Sequence, residues 1–264
     1  MKKNIFFSSF LMLLILLTTA VNALPTSPLW IHDSSGTLGT YDIATDTVNV
    51  IGDMNVTMTD IAFNSSGQLY GISFTDLYSI NTTDAIATYI GGHGVSGGNA
   101  LVFGSDGNLY AAGGSTTNLY SLNTLTGVGT LLGNIGYNSS GDLAFYDGGF
   151  YLATNTEPTD TLVSIDQTTY AGTGIGSFGY NSVFGLATGD DGVLYGVSGV
   201  DVFSVDVLTG AGTFVANYAD DRLGSSYGSS FIIEPAPVPE PSTMFLLGVG
   251  IVSLALYGRK RKKV

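Results

Sequence analysis

Two histidines, three glutamates and no cysteine bound the chemistry open to this chain of 264 residues. Without cysteine there is no disulfide scaffold, no thiolate zinc site and no cysteine nucleophile. His32 and His93 lie in Ile-His-Asp-Ser and Gly-Gly-His-Gly, too far apart for a His-x-x-x-His metal pair. No Gly-x-Ser-x-Gly elbow leads a strand into a helix, so a Ser-His-Asp triad has no scaffold, and both histidines read as surface loop residues. Glu234 and Glu240 fall in a Pro-rich segment, and Glu157, beside Pro158, reads as a solvated loop residue. Asp106, Asp147, Asp190 and Asp191 stand in Gly-containing turns, but none fits a calcium loop of the Asp-x-Asp-x-Asp-Gly kind with its closing Glu. They read as turn formers. No catalytic residue, metal or cofactor is expected.

Two groups of residues remain as candidates for binding. Asp60 and Asp142 occupy equivalent positions of an internal repeat, at the starts of strands expected to line a central channel, where both could face its mouth. Alternatively, each stabilises a turn through its own backbone. Tyr137-Asn138 and Tyr180-Asn181 sit in two copies of Gly-Tyr-Asn-Ser, at 136–139 and 179–182, in loops that enter such strands. A tyrosine ring stacks on the C–H face of a sugar while amides and carboxylates bond its hydroxyls. Ordinary loop packing is the competing reading.

The repeat that positions these residues has a period of about 40. First strands begin at Asp60-Ile-Ala-Phe63, Ala100-Leu-Val-Phe103, Asp142-Leu-Ala-Phe145 and Gly185-Leu-Ala-Thr188, and each is followed by a Gly-containing turn. Second strands carry Tyr70, Tyr110, Tyr151 and Tyr195, spaced by 40, 41 and 44 residues; these tyrosines read as packing within or between repeats. Third strands alternate apolar residues with Ser, as in Leu119-Tyr-Ser-Leu122, and short fourth strands follow. Four strands per unit of about 40 residues is the pattern of a β-propeller blade. The N-terminal segment from Leu29 supplies second, third and fourth strands only, and Tyr227 to Ile233 supplies a lone first strand. Joined, they complete a fifth blade and leave no open edge. The expected fold is therefore all-β, a five-bladed propeller over residues 29–233 closed by that pairing, with one C-terminal transmembrane helix.

The ends of the chain carry a different message. Seven of the eight basic residues lie at the extremes, so the body holds Arg222 against 21 acids. Such a body is repelled by phosphate backbones, and nucleic-acid binding is set aside. Residues 1–23 have the basic start, apolar core and Val-Asn-Ala ending of a secretory signal, with cleavage by signal peptidase expected after Ala23. A Pro-rich linker, 234–241, leads into an uncharged, mostly apolar run over 242–257 that is just long enough to span a bilayer. The basic cluster Arg259, Lys260, Arg261, Lys262 and Lys263 then marks a cytoplasmic anchor. These features predict a body outside the inner membrane, held to it by a tail anchor.

The order Val-Pro-Glu-Pro-Ser, apolar run, Arg/Lys cluster resembles the PEP-CTERM sorting signal over 238–263. That resemblance implies recognition of the region of Pro239, Glu240 and Pro241 by an exosortase, a membrane transpeptidase that removes the tail. It also implies a Gram-negative, exopolysaccharide-producing source and sorting to the cell surface or matrix. Two functions follow as expectations. One is a non-enzymatic surface protein whose loops bind polysaccharide or another surface protein. The other is a secreted hydrolase or lactonase using Asp60, Asp142 and a metal ion.

Overall fold

The computed structural model describes residues 24–220 and 222–232. Twenty strands form five four-stranded antiparallel sheets, four of them meanders in chain order and the fifth taking its innermost strand from the other end of the domain. In the blade built from both termini, β1 (Leu29–Asp33), β2 (Thr37–Asp42) and β3 (Thr47–Asp53) follow β20 (Ser226–Phe231) from the axis outward. The other blades are β4 (Asp60–Phe63), β5 (Leu69–Ile72), β6 (Asp76–Ile80) and β7 (Ala87–Gly92); β8 (Gly98–Phe103), β9 (Leu109–Gly113), β10 (Asn118–Leu122) and β11 (Gly129–Asn134); β12 (Leu143–Tyr146), β13 (Gly149–Thr154), β14 (Thr161–Ile165) and β15 (Gly172–Ser177); and β16 (Val183–Thr188), β17 (Leu194–Ser198), β18 (Asp201–Val205) and β19 (Gly212–Asn217). The ring closes as expected: Leu29 pairs with Phe231, Ile31 with Ser229 and His32 with Gly228.

Burial falls from axis to rim, as the strand sequences dictate. The first strand β4, Asp-Ile-Ala-Phe, is buried at all four positions, whereas the outer strand β11, Gly-Thr-Leu-Leu-Gly-Asn, has none buried. The apolar residues between blades collect into five separate cores, one at each interface. At four interfaces a second-strand aromatic meets an aromatic of the next blade: Trp30 with Phe63, Tyr70 with Phe103, Tyr110 with Phe150, and Tyr195 with Phe231, at centroid separations of 4.6–5.8 Å. The recurring tyrosines thus include true inter-blade residues, each such contact worth about 0.5–1.5 kcal/mol beyond its buried area. At the remaining interface Thr188 stands in the aromatic column and its hydroxyl donates to the Phe145 carbonyl at 2.8 Å.

Every blade also carries a β-bulge between its third and fourth strands, for example between Leu77 and Tyr78 and between Leu162 and Val163. A bulge increases local twist and bends the outer strand. Beside two of them, the carbonyls of Thr126 and Thr209 in the next blade's outer turn fill the space where side chains at Gly91 and Gly176 would begin. Only glycine lets the rims approach so closely.

One part of the expected fold is corrected. Among the described residues no helix is long and apolar enough to cross a membrane, and the elements described are strands. The architecture assigned is accordingly the β-propeller alone. The segment 242–257, to which apolar length assigned a transmembrane helix, lies outside the described residues. So do the signal segment 1–23, the linker 234–241 with Pro239, Glu240 and Pro241, and the basic residues 259–263.

Candidate functional site

The first strands β20, β4, β8, β12 and β16 surround the axis, and each is the inner edge of its sheet. An edge leaves backbone N–H groups unpaired, and here one from each blade points to the same place. Two carboxylates receive them. Asp60 accepts from Ile61 N at 2.7 Å and from Leu101 N at 2.5 Å. Asp142 accepts from Leu143 N at 2.6 Å, from Leu186 N, and from the Ser229 amide. Residues 61, 101, 143, 186 and 229 hold the same position in the five first strands, so two acids satisfy a fivefold set of donors.

The preceding positions explain how two side chains can serve five blades. That ring reads Asp60, Ala100, Asp142, Gly185 and Gly228. The small residues leave the axis to the carboxylates, which meet each other across it. A side chain at Gly228 would start 2.6 Å from Asp60 Oδ1 and 2.6 Å from His32 Nε2. Asp60 and Asp142 are both 0 % exposed. Burial holds both well above the usual carboxylate range, and the charge of Asp142 raises Asp60 further. Two contacting carboxylates in a dry site cannot both ionise, so the pair shares a proton. The sequence reading that each aspartate serves the backbone is half of the arrangement. The other half is the fastening of each acid to a neighbouring blade.

His32 was expected in a surface loop. Instead it lies in β1, completely buried, and neither ring nitrogen has a hydrogen-bond partner. Burial lowers its pKa to about 4, so the ring is neutral. His93 is in a loop but is also buried; its Nδ1 accepts from Val95 N at 3.0 Å and its Nε2 lies 3.1 Å from the Ser73 carbonyl. Among the described residues no group of three or more His, Asp or Glu side chains is placed to hold a metal ion.

Tyr137 and Tyr180 lie on the loop face but are turned into the neighbouring blade. Tyr137 packs over Gly172 and Gly174 of β15. Tyr180 covers Gly212 of β19 and stacks on Phe203 at 4.1 Å with an interplanar angle of 3°. Asn138 Nδ2 donates to the Gly114 carbonyl at 3.0 Å, and the Asn181 carbonyl accepts from Ser198 Oγ at 2.6 Å. The structure brings Asp60 and Asp142 together and leaves these four residues in two separate loops.

One step above the acid pair, the channel opens into a pocket of about 240 Å³. Its wall takes one residue from the entrance to each blade: Thr59, Asn99, Gly141, Phe184 and Tyr227, with Phe74 from the β5–β6 loop at the rim. Thr59 Oγ1 is committed to the Gly98 carbonyl at 2.7 Å. Ser140 Oγ, also in the wall, is bound to Asp160 Oδ2 at 2.9 Å and the Val183 carbonyl at 3.2 Å. Burial raises the pKa of Asp160, which lies behind the wall. Asn99 Oδ1 is buried with no partner, an omission that typically costs about 1–3 kcal/mol. Phe184 and Tyr227 meet at 5.5 Å and 57°. Sequence reasoning missed this ring, although its members are the residues immediately before the aligned column 60, 100, 142, 185 and 228. A second hollow, about 350 Å³, lies among turn residues on the opposite face of one blade, between Gln68, Asn81 and Asp84.

The two faces differ in what leaves them. Loops entering first strands, and loops joining second to third strands, lie on the pocket side. The strand β20 runs away from that side and β1, antiparallel to it, starts on the other. There, Thr26 N donates to Asp190 Oδ1 at 2.8 Å and Ser27 N to Asp190 Oδ2 at 3.1 Å, pinning the entering chain to the β16–β17 turn. Both ends of the propeller are therefore on the face opposite the pocket.

Comparison with known proteins gives a family match at one end of the chain and fold matches elsewhere. Residues 237–262 match the PEP-CTERM protein-sorting motif. No curated protein matches the chain. Among solved structures, a chain of a nidogen/laminin complex aligns with a TM-score of 0.58 at 10 % identity, covering 78 % of this chain and 98 % of that one. A gluconolactonase from Xanthomonas campestris aligns at 0.54 and 15 % identity, covering 76 % and 74 %. A symmetrical protein from a study of de novo evolutionary emergence aligns at 0.50 and 17 %, covering 81 % and 100 %. At such identities the likeness is one of fold. This chain is an exported five-bladed β-propeller protein that carries a PEP-CTERM protein-sorting motif.

Proposed function

We propose that the protein is a non-enzymatic binding component of the cell surface or extracellular matrix of a Gram-negative, exopolysaccharide-producing bacterium. Exosortase handles its sorting motif, and the pocket face of the propeller engages polysaccharide. The observation that carries this reading is the separation of faces. The chain enters and leaves on one side, and the channel mouth opens on the other, so a protein held through its C-terminal end presents the mouth outward. The expectation of transient anchoring in the inner membrane by a C-terminal helix is withdrawn with the correction to the fold, since no such helix occurs among the described residues. Localisation rests on the sorting motif alone.

The enzymatic alternative relied on Asp60 and Asp142 as accessible channel acids. Both are fully buried, and their oxygens are occupied by backbone N–H groups and by each other. A fastening role accounts for these contacts without any reaction. The test is retention of the purified exported protein on the producing strain's exopolysaccharide. Retention is expected, with no turnover of lactones or glycosides. A protein that washes through, or a hydrolysis rate that falls with Asp142→Asn, would refute the reading.

A further inference from the structure

We infer that the channel-mouth pocket is a site for one neutral pyranose ring, an uncharged sugar unit at the end or on a side branch of a glycan. This deepens the proposed function and rests on it. The wall offers aromatic faces, an amide and no charge. Phe74 is 60 % exposed and Tyr227 37 % exposed; Tyr89 and Phe214 are exposed too, on outer strands, but Phe74 and Tyr227 come together at the channel mouth. They stand at the rim of a cup, with Phe184 tilted against Tyr227 and packed over Gly141, where a side chain would begin 2.5 Å from the Phe184 ring. A pyranose presents flat C–H faces to such rings.

The polar requirement points the same way. The hydroxyls of Thr59 and Ser140 are engaged with protein groups, so the free valence of the pocket belongs to the amide of Asn99. Its buried oxygen is out of a ligand's reach, but its Nδ2 holds only a 3.5 Å contact to the Ser139 carbonyl, and that donor finds an acceptor in a sugar hydroxyl and none in an apolar ligand. Net charge decides between neutral and acidic sugars. The body carries about one base against 21 acids, and a uronate brought to its axis finds no cation in the pocket wall. Shape decides against an extended peptide. The cup is ringed by one residue from each of five blades and holds about 240 Å³, room for one ring rather than for an extended chain.

The experiment is calorimetric titration of the purified exported protein with neutral gluco-, galacto- and manno-oligosaccharides, an oligogalacturonate and a proline-rich peptide. Saturable binding of at least one neutral oligosaccharide is expected. Tyr227→Ala and Phe74→Ala should each weaken it tenfold or more with an unchanged unfolding transition, since both rings are exposed, and Tyr227→Phe should retain it. No binding of any neutral oligosaccharide, preference for the uronate or the peptide, or indifference to both alanine variants would overturn the inference. If the whole exopolysaccharide still retains the protein in that case, the pocket assignment fails while the surface-binding reading stands. Loss of both would refute the two together.

Discussion

Replacing Asp142 with asparagine should weaken a loss of stability expected of the native propeller as pH rises above about 6.5. The unfolded chain ionises both Asp60 and Asp142 near pH 4, whereas burial holds both well above that range in the fold. The folded state therefore keeps at least one proton that the unfolded state has released. Stability contributed by a raised carboxyl is full below the unfolded value and is lost as pH rises toward the folded one. The slope is about 1.4 kcal/mol per pH unit for one proton. His32 acts with the opposite sign. Burial lowers it to about 4, so between there and the unfolded value of 6.5 the unfolded chain binds a proton that the fold refuses. His93, also lowered by burial, adds to that. The two effects offset one another below pH 6.5. Above it both histidines are neutral in either state, and the acid pair acts alone. For a domain of this size, each pH unit over which the fold keeps that proton corresponds to a fall of roughly 3–6 °C in Tm. In Asp142→Asn the amide donates to Asp60 and the repulsion between carboxylates is gone, so Asp60 is raised by burial alone and the slope should shrink. One of the backbone N–H groups served by Asp142 loses its oxygen, at a cost of about 1–3 kcal/mol at every pH. Thermal unfolding followed by circular dichroism from pH 6.5 to 9, native beside variant, is the assay. A native Tm that stays flat, or a variant that keeps the native slope, would refute the shared proton.

Tyr180→Ala removes the ring stacked on Phe203 and uncovers Gly212, so it should destabilise the propeller by about 1–3 kcal/mol while leaving exopolysaccharide retention intact; denaturant titration beside a retention assay checks both. Gly228→Ala forces a methyl against Asp60 and His32 and should cost about 1–3 kcal/mol, read as a lower denaturant midpoint with unchanged slope. Asp190→Ala releases the segment at Thr26 and Ser27, and hydrogen exchange at Leu24–Ser27 should accelerate while exchange in β1 stays slow. Alanine at Pro239, Glu240 and Pro241 should keep the protein from the cell surface, and cell fractionation with immunoblotting would detect the change; normal surface delivery would contradict sorting through the motif.

The parts of the molecule that repeat in sequence could be read from it. The tyrosines at 70, 110, 151 and 195 mark second strands because their period survives variable loops, and the missing first strand at Leu29 required the lone one at Tyr227. The acid pair was half legible. Asp60 and Asp142 share a column, but whether members of non-adjacent blades meet across the axis depends on the small residues between them, which a periodicity does not weigh. The pocket was hidden because its column, Thr59, Asn99, Gly141, Phe184 and Tyr227, has no residue type in common. What unites it is position around a closed ring. Tyr137 and Tyr180 show the converse. Their local motif repeats, but their rings are claimed by hollows over Gly172, Gly174 and Gly212, which lie far along the chain. His32 misled because its flanking polar residues suggested a loop, whereas its opposite partner Gly228 makes room for a buried ring.

The closing strand also imposes an order in time. Pairing of Leu29 with Phe231 joins the first strand of the domain to the last, so a chain emerging N-terminus first cannot complete its ring until β20 has been released. Until then β1 is an open edge, and the core between that blade and β16–β19 lacks Phe231. The sorting motif begins at residue 237, a few residues beyond β20. A chain truncated anywhere within the propeller lacks both the strand and the address, and one that displays the address has already delivered the strand. Placing the two side by side makes the sorting signal a certificate of length, so that molecules selected for the surface are those able to fold shut.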